Sequence, residues 1–249
     1  MQKGEVKCVL IAGTRETSSR YAKELRRSGI NAHGYSVLEV KPTVNGDLLG
    51  VVEGVDFGVA VFTSRNAVRI LLASASQALK LKISGCTIYA IGEGTRNELK
   101  LHGFNSVRVP ARESSIGLLE VVRRDGVEGR AIAIFHSLKV NEELINGLRG
   151  LGASVRSFPL YDIAVNEGEA RRMLEALRCE ALASVMFLAK TAFQALINID
   201  SRAAHMLKGR LVVALGEMVS RSLSLHGIPH RVLYKPNVGS AIALMRGLA

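Results

Sequence analysis

The chain has 249 residues, more than one domain usually contains, so two domains of about 125 residues each are the natural expectation. It is 48% hydrophobic, but its apolar runs fall well short of the roughly 18 residues of a membrane span, so we expect a globular protein without membrane contact. The net charge of +11 is spread over both halves, which suits a polyanionic small molecule or simply a solvated basic surface, whereas the lack of Trp and the 5% of aromatic residues argue against nucleic acid.

The amino terminus and the cysteines bear on where the protein works. Residues 1–13 have too short an apolar segment, and no cleavage-site pattern, for a secretory signal, so we expect a first strand there and a cytoplasmic protein. Cys8, Cys86 and Cys179 are odd in number, widely spaced and set in apolar segments. This pattern predicts small core residues and neither a disulfide framework nor a metal site.

The beginning of the chain predicts a strand-helix-strand unit that ends in an extended link. Residues 6–12 are a continuous apolar run, typical of a buried parallel strand, and Thr17 or Ser18 is placed to cap the following helix. A second strand at 32–35 leads into an extended, proline-ended segment at 36–42, which is the first candidate crossing between domains.

The rest of the chain repeats this alternation. A buried strand at 58–62 runs directly into a helix that Thr63 or Ser64 can cap, and Ser114 or Ser115 can cap a later helix. Regular alternation of strands and helices demands parallel sheets with helices on both faces and right-handed crossovers. The other predicted strands are 87–91, 106–109, 131–135, 154–158, 184–188, 211–215 and 231–233.

Half a chain length separates two copies of one sequence pattern. Residues 90–104, AIGEGTRNELKLHGF, recur as residues 214–228, ALGEMVSRSLSLHGI. Any two strand-helix units share apolar strands, but this alternative does not explain the repeated Leu-x-Leu-His-Gly, so we interpret the chain as a tandem duplication. Two further pairs of blocks keep nearly the same offset, namely 62–68 with 187–193 and 8–37 with 131–160.

Parallel sheets bind ligands beyond the carboxyl ends of their strands, where loops lead into helix amino termini. Backbone amides there hold anions and need only small capping residues beside them. The chain shows no Ser-His-Asp spacing, HExxH motif, CxxC pair or paired carboxylates, and GEGTRN at 92–97 fails the dinucleotide pattern because Asn97 takes the place of the last glycine. The loops that follow predicted strands in this way, and are therefore candidate binding loops, are 13–18, 63–66, 92–95, 112–115, 136–139, 189–191, 216–220 and 236–240.

A series of motifs resembles the uroporphyrinogen-III synthase family. The series includes FTSRNAV at 62–68, AIGEGT at 90–95, LKLHG at 99–103 and Tyr161 at the second crossing. An opening strand and helix that end in glycine, and a serine-capped helix before a Leu-Leu pair, complete it. The likeness covers nearly the whole chain, and its specificity lies in the order and spacing of the motifs.

The resemblance implies an α/β fold of two similar flavodoxin-like parallel-sheet domains joined by a two-stranded hinge. The first domain is then discontinuous, residues 1–38 with 164–249, and the second is residues 42–160. The hinge crossings are 36–42 and 159–165. The active site is expected in the cleft between the domains. A division into two simple halves predicts the same pseudo-symmetry with other boundaries.

The family's reaction cyclises hydroxymethylbilane, a linear tetrapyrrole with eight carboxylates. It releases the terminal hydroxyl as water and inverts the last pyrrole ring through a spiro intermediate. Because the substrate also closes unaided to the wrong isomer, the enzyme's task is largely geometric. The resemblance thus implies a monomeric lyase of tetrapyrrole biosynthesis, free of metals and cofactors, that contacts the upstream hydroxymethylbilane synthase transiently.

The resemblance and the carboxyl-end rule together select the candidate site. Tyr161 is the candidate proton donor to the departing hydroxyl, and an aromatic wedge at the domain junction is an equal alternative. Thr63, Ser64 and Asn66 can bind substrate, cap their helix or do both. The candidate substrate-binding residues are Thr14, Arg15, Thr63, Ser64, Arg65, Asn66, Gly92, Thr95, Ser114, Ser115, His136, Ser137, Lys190, Thr191, Gly216 and Ser220.

The second copy of the pattern departs from the family. Leu188 and Ala189 stand where hydroxyls are preferred, and Val219 replaces the threonine of GxxT, so we expect the first domain to use backbone contacts more than side chains. A second hypothesis, from another class, is a non-catalytic sensor of the same fold that binds a tetrapyrrole or another polycarboxylate. A hinged sugar- or amino-acid-binding protein is a third, which the missing signal peptide disfavours.

Overall fold

The computed structural model describes residues 8–139, 142–179, 183–234 and 237–247. Residues 6 and 7 of the predicted first strand, residues 140 and 141 of a predicted helix and residue 236 of the last candidate binding loop lie outside these ranges.

Strands and helices alternate through the described residues, as the sequence predicts. The strands are β1 (Cys8–Thr14), β2 (Ala32–Pro42), β3 (Val59–Phe62), β4 (Thr87–Ala90), β5 (Val107–Arg108), β6 (Ala131–Ser137), β7 (Ser154–Val165), β8 (Ala183–Phe187), β9 (Val212–Leu215) and β10 (Arg231–Leu233). The helices are α1 (Arg15–Arg27), α2 (Gly46–Gly54), α3 (Arg65–Ser74), α4 (Gln77–Ser84), α5 (Glu93–Leu101), α6 (Ser115–Asp125), α7 (Glu142–Gly150), α8 (Glu167–Cys179), α9 (Lys190–Ile199), α10 (Ala203–Leu207), α11 (Glu217–Leu225) and α12 (Val238–Arg246).

Helix α1 begins one turn earlier than the sequence predicts. Its N-cap is Thr14, whose hydroxyl accepts the Thr17 N–H at 3.4 Å, while the Thr17 hydroxyl accepts the Thr14 N–H at 3.1 Å. This reciprocal pair is a capping box. The buried Ser18 hydroxyl donates to the Thr14 carbonyl within the first turn. The prediction that Thr17 or Ser18 caps the helix is therefore wrong.

The chain divides into two compact units. Unit 1 comprises Met1–Glu39 and Ala164–Ala249, and unit 2 comprises Val40–Ile163. The chain leaves unit 1 within β2 and returns to it within β7, and both of these strands are longer than predicted because they continue through the extended crossing segments.

Each unit has the same strand arrangement. The order in unit 1 is β10-β9-β8-β1-β2, and the order in unit 2 is β7-β6-β3-β4-β5. Neighbours in these orders pair in parallel. Numbered along the chain, the strands of unit 1 lie in the order 2-1-3-4-5 across the sheet, which is the order of one class of doubly wound folds. Unit 2 has the same arrangement of strands, but its chain is circularly permuted, because it starts at β3 and not at β6.

The two units also share a local irregularity. The pairing of β1 with β2 shifts by one residue between Ala12 and Thr14, so that Thr14 lies opposite Leu38. The pairing of β6 with β7 shifts between His136 and Ser137, so that Ser137 lies opposite Tyr161. These positions are equivalent in the duplication, because both are displaced by the same 123 residues that separate the opening blocks. The duplication therefore extends to a detail of the strand pairing.

The central strands β3, β4 and β6 of unit 2 are buried on both faces, which is why they are largely apolar without alternation. Val59 and Val61 face the cluster that α6 and α7 cover, whereas Ala60 and Phe62 face the cluster that α3 and α5 cover. On the second face Phe135 stacks between Phe62 and a phenylalanine of β7, with ring centroids 4.9 and 5.6 Å away. Tyr161 belongs to this same cluster.

Two glycine-to-alanine variants should change stability in opposite directions. Gly216 has φ 83° and ψ 171°, a region essentially restricted to glycine, so Gly216→Ala should lower the free energy of unfolding by roughly 1–3 kcal/mol. Gly50 lies inside α2 with open space around it, so Gly50→Ala should raise the free energy of unfolding by about 0.5–1 kcal/mol. Urea denaturation measures both, and a stabilising Gly216→Ala would contradict the backbone assignment.

Candidate active site

The carboxyl ends of the parallel strands in one unit lie together, and we call this border of the sheet the carboxyl edge of that unit. In unit 2 it carries the ends of β3, β4, β5 and β6, with the helices that follow them. In unit 1 it carries the ends of β1, β8, β9 and β10. The candidate residues of the sequence analysis fall at these two edges.

A hydrogen bond between two hydroxyls marks the carboxyl edge of unit 2. The Ser64 Oγ lies 2.8 Å from the Tyr161 hydroxyl. Tyr161 is 4% exposed, whereas Ser64 is partly exposed, so the pair lies at the border between core and solvent. Ser64 is also the N-cap of α3, and its oxygen accepts the Ala67 N–H at 3.1 Å. Of the two residues that the sequence offered as caps, Ser64 performs the role.

Backbone bonds hold Tyr161 and Thr63 in place. The Tyr161 carbonyl accepts the Leu138 N–H at 2.6 Å, just beyond the shifted pairing of β6 and β7. The Thr63 N–H and hydroxyl both donate to the Phe135 carbonyl, at 3.1 and 3.2 Å, which ties the end of β3 to β6. The Thr63 hydroxyl is therefore used inside the unit, and Asn66 lies half-buried in the first turn of α3.

Three helices at the carboxyl edges begin with a cation. Arg15 is the first residue of α1, Arg65 is the first of α3 and Lys190 is the first of α9. The amino end of a helix carries a partial positive charge, so a cation there is unfavourable by about 0.3–1 kcal/mol. Arg65 and Lys190 occupy equivalent positions of the duplication, so a cation recurs at the same helix start in both units, where the local potential favours anions.

The start of α5 already holds a carboxylate of the protein itself. The Glu93 N–H donates to Glu113 Oε1 at 3.2 Å, and the Glu113 side chain fills the space where a Cβ on Gly92 would lie. Thr95, in the first turn, is 5% exposed. Ser114, next to Glu113, caps α6 by accepting the Gly117 N–H at 3.1 Å, and Ser115 is the first residue of that helix.

His136 lies inside unit 2 with both ring nitrogens engaged. Its Nδ1 donates to the Ser137 carbonyl at 2.6 Å, and its Nε2 is paired with the Ser157 hydroxyl. The residue is 4% exposed, and burial lowers the pKa of the imidazole. A neutral, buried ring is a weak ligand for a carboxylate. The Ser137 hydroxyl donates to the Lys139 carbonyl at 3.0 Å.

Unit 1 carries the remaining candidates. Thr14 is engaged in the capping box, and Thr191 is half-buried in the first turn of α9. Gly216 is the N-cap residue of α11, where glycine has no side chain to cap with. The Ser220 hydroxyl lies 2.7 Å from His230 Nε2, while His230 Nδ1 donates to the Ile228 carbonyl at 2.8 Å. Ser220 is thus occupied by a bond between α11 and the start of β10.

Exposed apolar side chains at the carboxyl edges were not predicted from the sequence. They follow strand ends or lie in the first turn of a helix, and their exposed fractions range from 46 to 77%. They are Ile116 and Leu138 in unit 2 and Met218 and Tyr234 in unit 1. Tyr234 directly follows the predicted strand 231–233, which is a signal that the sequence offers, whereas the other three lie further from their predicted strands.

The described residues offer neither a metal site nor a membrane-spanning helix. Within 8–139, 142–179, 183–234 and 237–247, no group of three His, Cys, Asp or Glu side chains is placed to hold a metal ion. In the same ranges no helix combines the length and the apolar character of a membrane span.

Burial of His136 should make the protein less stable in mild acid. Its folded-state pKa is lowered, so the unfolded chain binds the proton more readily and the free energy of unfolding falls as the pH drops below about 6.5. His136→Gln should remove up to about 1.4 kcal/mol per pH unit of this slope. Urea denaturation across this pH range tests it, with His205→Gln in the exposed part of α10 as the control. An unchanged slope in His136→Gln would contradict the assignment.

Comparison with known proteins agrees with this arrangement. A family model described as "Uroporphyrinogen-III synthase HemD" matches residues 19–243. A relative from Methanothermobacter thermautotrophicus, described as "Putative uroporphyrinogen-III synthase", is 26% identical over 243 residues, which cover 93% of this chain and 96% of the relative.

Solved structures agree on the fold. A mutant uroporphyrinogen III synthase from Thermus thermophilus is similar with a TM-score of 0.67 at 19% identity, over 97% of this chain and 98% of the other. The uroporphyrinogen-III synthetase from Helicobacter pylori also gives 0.67, at 17% identity, over 98% and 100%. Because the family model spans nearly the whole sequence, the chain belongs to the uroporphyrinogen-III synthase family.

Proposed function

We propose that this protein is a lyase that cyclises hydroxymethylbilane to uroporphyrinogen III. One water is lost and the last pyrrole ring is inverted, and the reaction involves no net oxidation or reduction. The observation that carries the proposal is the repeated placement of a cation at the first position of α1, α3 and α9, since the substrate presents carboxylates around its whole length.

Helix amino termini supply the second part of carboxylate binding. Backbone N–H groups in the first turn are unpaired within the helix and point toward the carboxyl edge. The Glu113 carboxylate at the start of α5 supports this role, because it shows an acidic group bound where substrate acids are proposed to bind. Side-chain hydroxyls that cap helices leave other first-turn amides for the ligand.

The exposed apolar side chains at the carboxyl edges fit the apolar pyrrole rings of the substrate. A tetrapyrrole presents flat apolar rings between its acidic arms, and Leu138 and Ile116 in unit 2 are 53 and 46% exposed at the carboxyl edge. Met218 and Tyr234 are 61 and 77% exposed in unit 1. Burial of apolar surface against such residues contributes about 25 cal/mol per Å². We propose that they pack against the pyrrole rings.

Tyr161 is proposed as the group that protonates the departing hydroxyl. Its proton joins the hydroxyl as the C–O bond breaks, and water leaves with the electron pair of that bond. Ring closure later releases a proton from the attacked pyrrole carbon, and this proton restores the phenol. The position of Tyr161 at the carboxyl edge, bonded to a partly exposed serine, supports the role.

The domain organisation of the family is proposed for this chain as well. Residues 1–38 with 164–249 would form one domain and residues 42–160 the other, with the crossings 36–42 and 159–165 as the hinge. The passage of the chain within β2 and β7 supports it. We also propose that the protein acts as a monomer and receives its unstable substrate by transient contact with hydroxymethylbilane synthase.

The isomer distribution of the product tests the activity. Freshly made hydroxymethylbilane is supplied, the products are oxidised, and the type I and type III isomers are resolved. The wild type should give mainly type III, whereas a distribution equal to that of the buffer blank would contradict the proposal and favour a non-catalytic sensor. Tyr161→Phe should lower kcat roughly ten- to a hundredfold, since a phenol is a weak acid at neutral pH. Full turnover in that variant would remove the donor role.

Neutralising the helix-start cations should separate binding from stability. Arg15→Gln and Lys190→Gln should each raise KM about tenfold with kcat little changed, because a charged hydrogen bond to substrate is lost. Each should also raise the free energy of unfolding by about 0.3–1 kcal/mol, since an unfavourable charge leaves the helix start. Lys100→Gln, in the last turn of α5, is the charge-matched control and should leave KM unchanged. An unchanged KM in both test variants would contradict the role of these cations.

A further inference from the structure

The hydroxyl of Ser64 has a second task besides capping. We propose that Ser64 is a positioning residue for Tyr161, which orients the phenol for proton donation and stabilises the phenolate that donation leaves. This inference rests on the proposed function, since it assigns Ser64 a role through the proposed proton donor. The geometry of the two hydroxyls and a comparison between the two copies within the chain support it.

The bonds of the Ser64 oxygen leave its hydrogen available for the contact. A serine hydroxyl has one hydrogen and two acceptor sites, and one acceptor site receives the Ala67 N–H at 3.1 Å. The Tyr161 hydroxyl lies 2.8 Å away, and either oxygen can be the donor in this contact. When Ser64 donates, the proton of the phenol is free to point away toward a substrate. After proton transfer, the Ser64 hydroxyl donates a charge-assisted hydrogen bond to the phenolate oxygen of Tyr161.

Helix α3 strengthens this donor. Its first-turn N–H groups carry partial positive charge, and the Ala67 N–H polarises the Ser64 hydroxyl from behind. Negative charge that develops on the Tyr161 oxygen is then two hydrogen bonds away from a helix amino terminus. The arrangement places a hydrogen-bond partner beside the oxygen that carries the charge after proton donation.

The duplicated unit provides an internal control. In the offsets of the duplication, the position of Ser64 corresponds to Ala189, and the position of Tyr161 corresponds to Leu38. Leu38 lies at the equivalent shift in strand pairing, opposite Thr14, as Tyr161 lies opposite Ser137. Unit 1 thus has an alanine and a leucine where unit 2 has the two hydroxyls. Both polar partners occur together in one copy, and both are absent together from the other.

The same comparison separates the new role from helix capping. The N-cap of α9 is Ala189, which has an extended backbone like Ser64 and no hydroxyl to cap with. Both helices nevertheless span 10 residues. A hydroxyl at this position is therefore not required for the helix to form. Capping alone does not account for a serine that also bonds the phenol 97 residues further along the chain.

Steady-state kinetics on five variants test the proposal. Ser64→Ala should lower kcat about tenfold with KM within about twofold of the wild type, and Ser64→Thr should restore most of the rate because threonine keeps the hydroxyl. In the Tyr161→Phe background, Ser64→Ala should add less than about a twofold loss, because a residue that acts through Tyr161 has no further effect once the phenol is gone. An equal loss in both backgrounds would overturn the proposal.

A matched capping variant controls for stability. Ser76 caps α4 with the same 3.1 Å bond to the N–H three residues on, and it is exposed and outside the candidate site. Ser76→Ala therefore removes an equivalent cap in the same unit and should leave kcat and KM unchanged. A loss of kcat in Ser76→Ala as large as that in Ser64→Ala would show that capping explains the effect, and the proposal would fall.

A spectroscopic measurement tests the contact between Ser64 and Tyr161 independently of enzyme activity. In protein labelled with ¹³C at the tyrosine Cζ, the Tyr161 resonance is identified by its loss in Tyr161→Phe. It should move in Ser64→Ala and stay in place in Ser76→Ala. An unmoved resonance would overturn the positioning role even in an active enzyme. A wild type that makes no type III isomer would defeat the proposed function instead, and the positioning of the phenol would then stand or fall on this resonance alone.

Discussion

The parallel direction of neighbouring strands is the constraint on which the rest of the structure depends. Within each unit, the helices that follow parallel strands must all begin at the same edge of the sheet, so their unpaired amides, capping hydroxyls and first residues collect there. Residues from distant parts of the chain therefore meet without a compact catalytic motif in the sequence. Tyr161 reaches this edge differently: it lies in β7, and a shift in the pairing with β6 sets its position.

Charged residues at the carboxyl edges do not all follow the helix dipoles. Arg15, Arg65 and Lys190 oppose the dipoles of their own helices, whereas α5 begins with the acidic residue that its dipole favours. Glu113 adds a second carboxylate at the start of α5. The same local potential thus binds the protein's own acid at one helix and faces cations at three others. That contrast is expected where a polycarboxylate completes the charge balance.

Much of the fold could be predicted from the sequence, because its causes are local. A run such as that of β3 is apolar on both faces, and a hydroxyl at the end of a strand predicts a cap. Local rules do not distinguish between neighbouring residues that can each cap a helix. Thr14, Thr17 and Ser18 lie within about one turn of each other, and the structure shows Thr14 as the N-cap, in a capping box with Thr17. The bond between Ser64 and Tyr161 depends on strand register over 97 residues, which no local pattern encodes.

The divergence of the two copies follows the asymmetry of the proposed substrate. Arg65 and Lys190 occupy equivalent helix starts, so a cation at this position is common to both units. The hydroxyl pair of Ser64 and Tyr161 occurs in unit 2, and its equivalents in unit 1 are apolar. Hydroxymethylbilane, the proposed substrate, carries acids along its whole length but a single departing hydroxyl. A duplicated scaffold suits the repeated feature, and the proposed proton donation is needed in one copy alone.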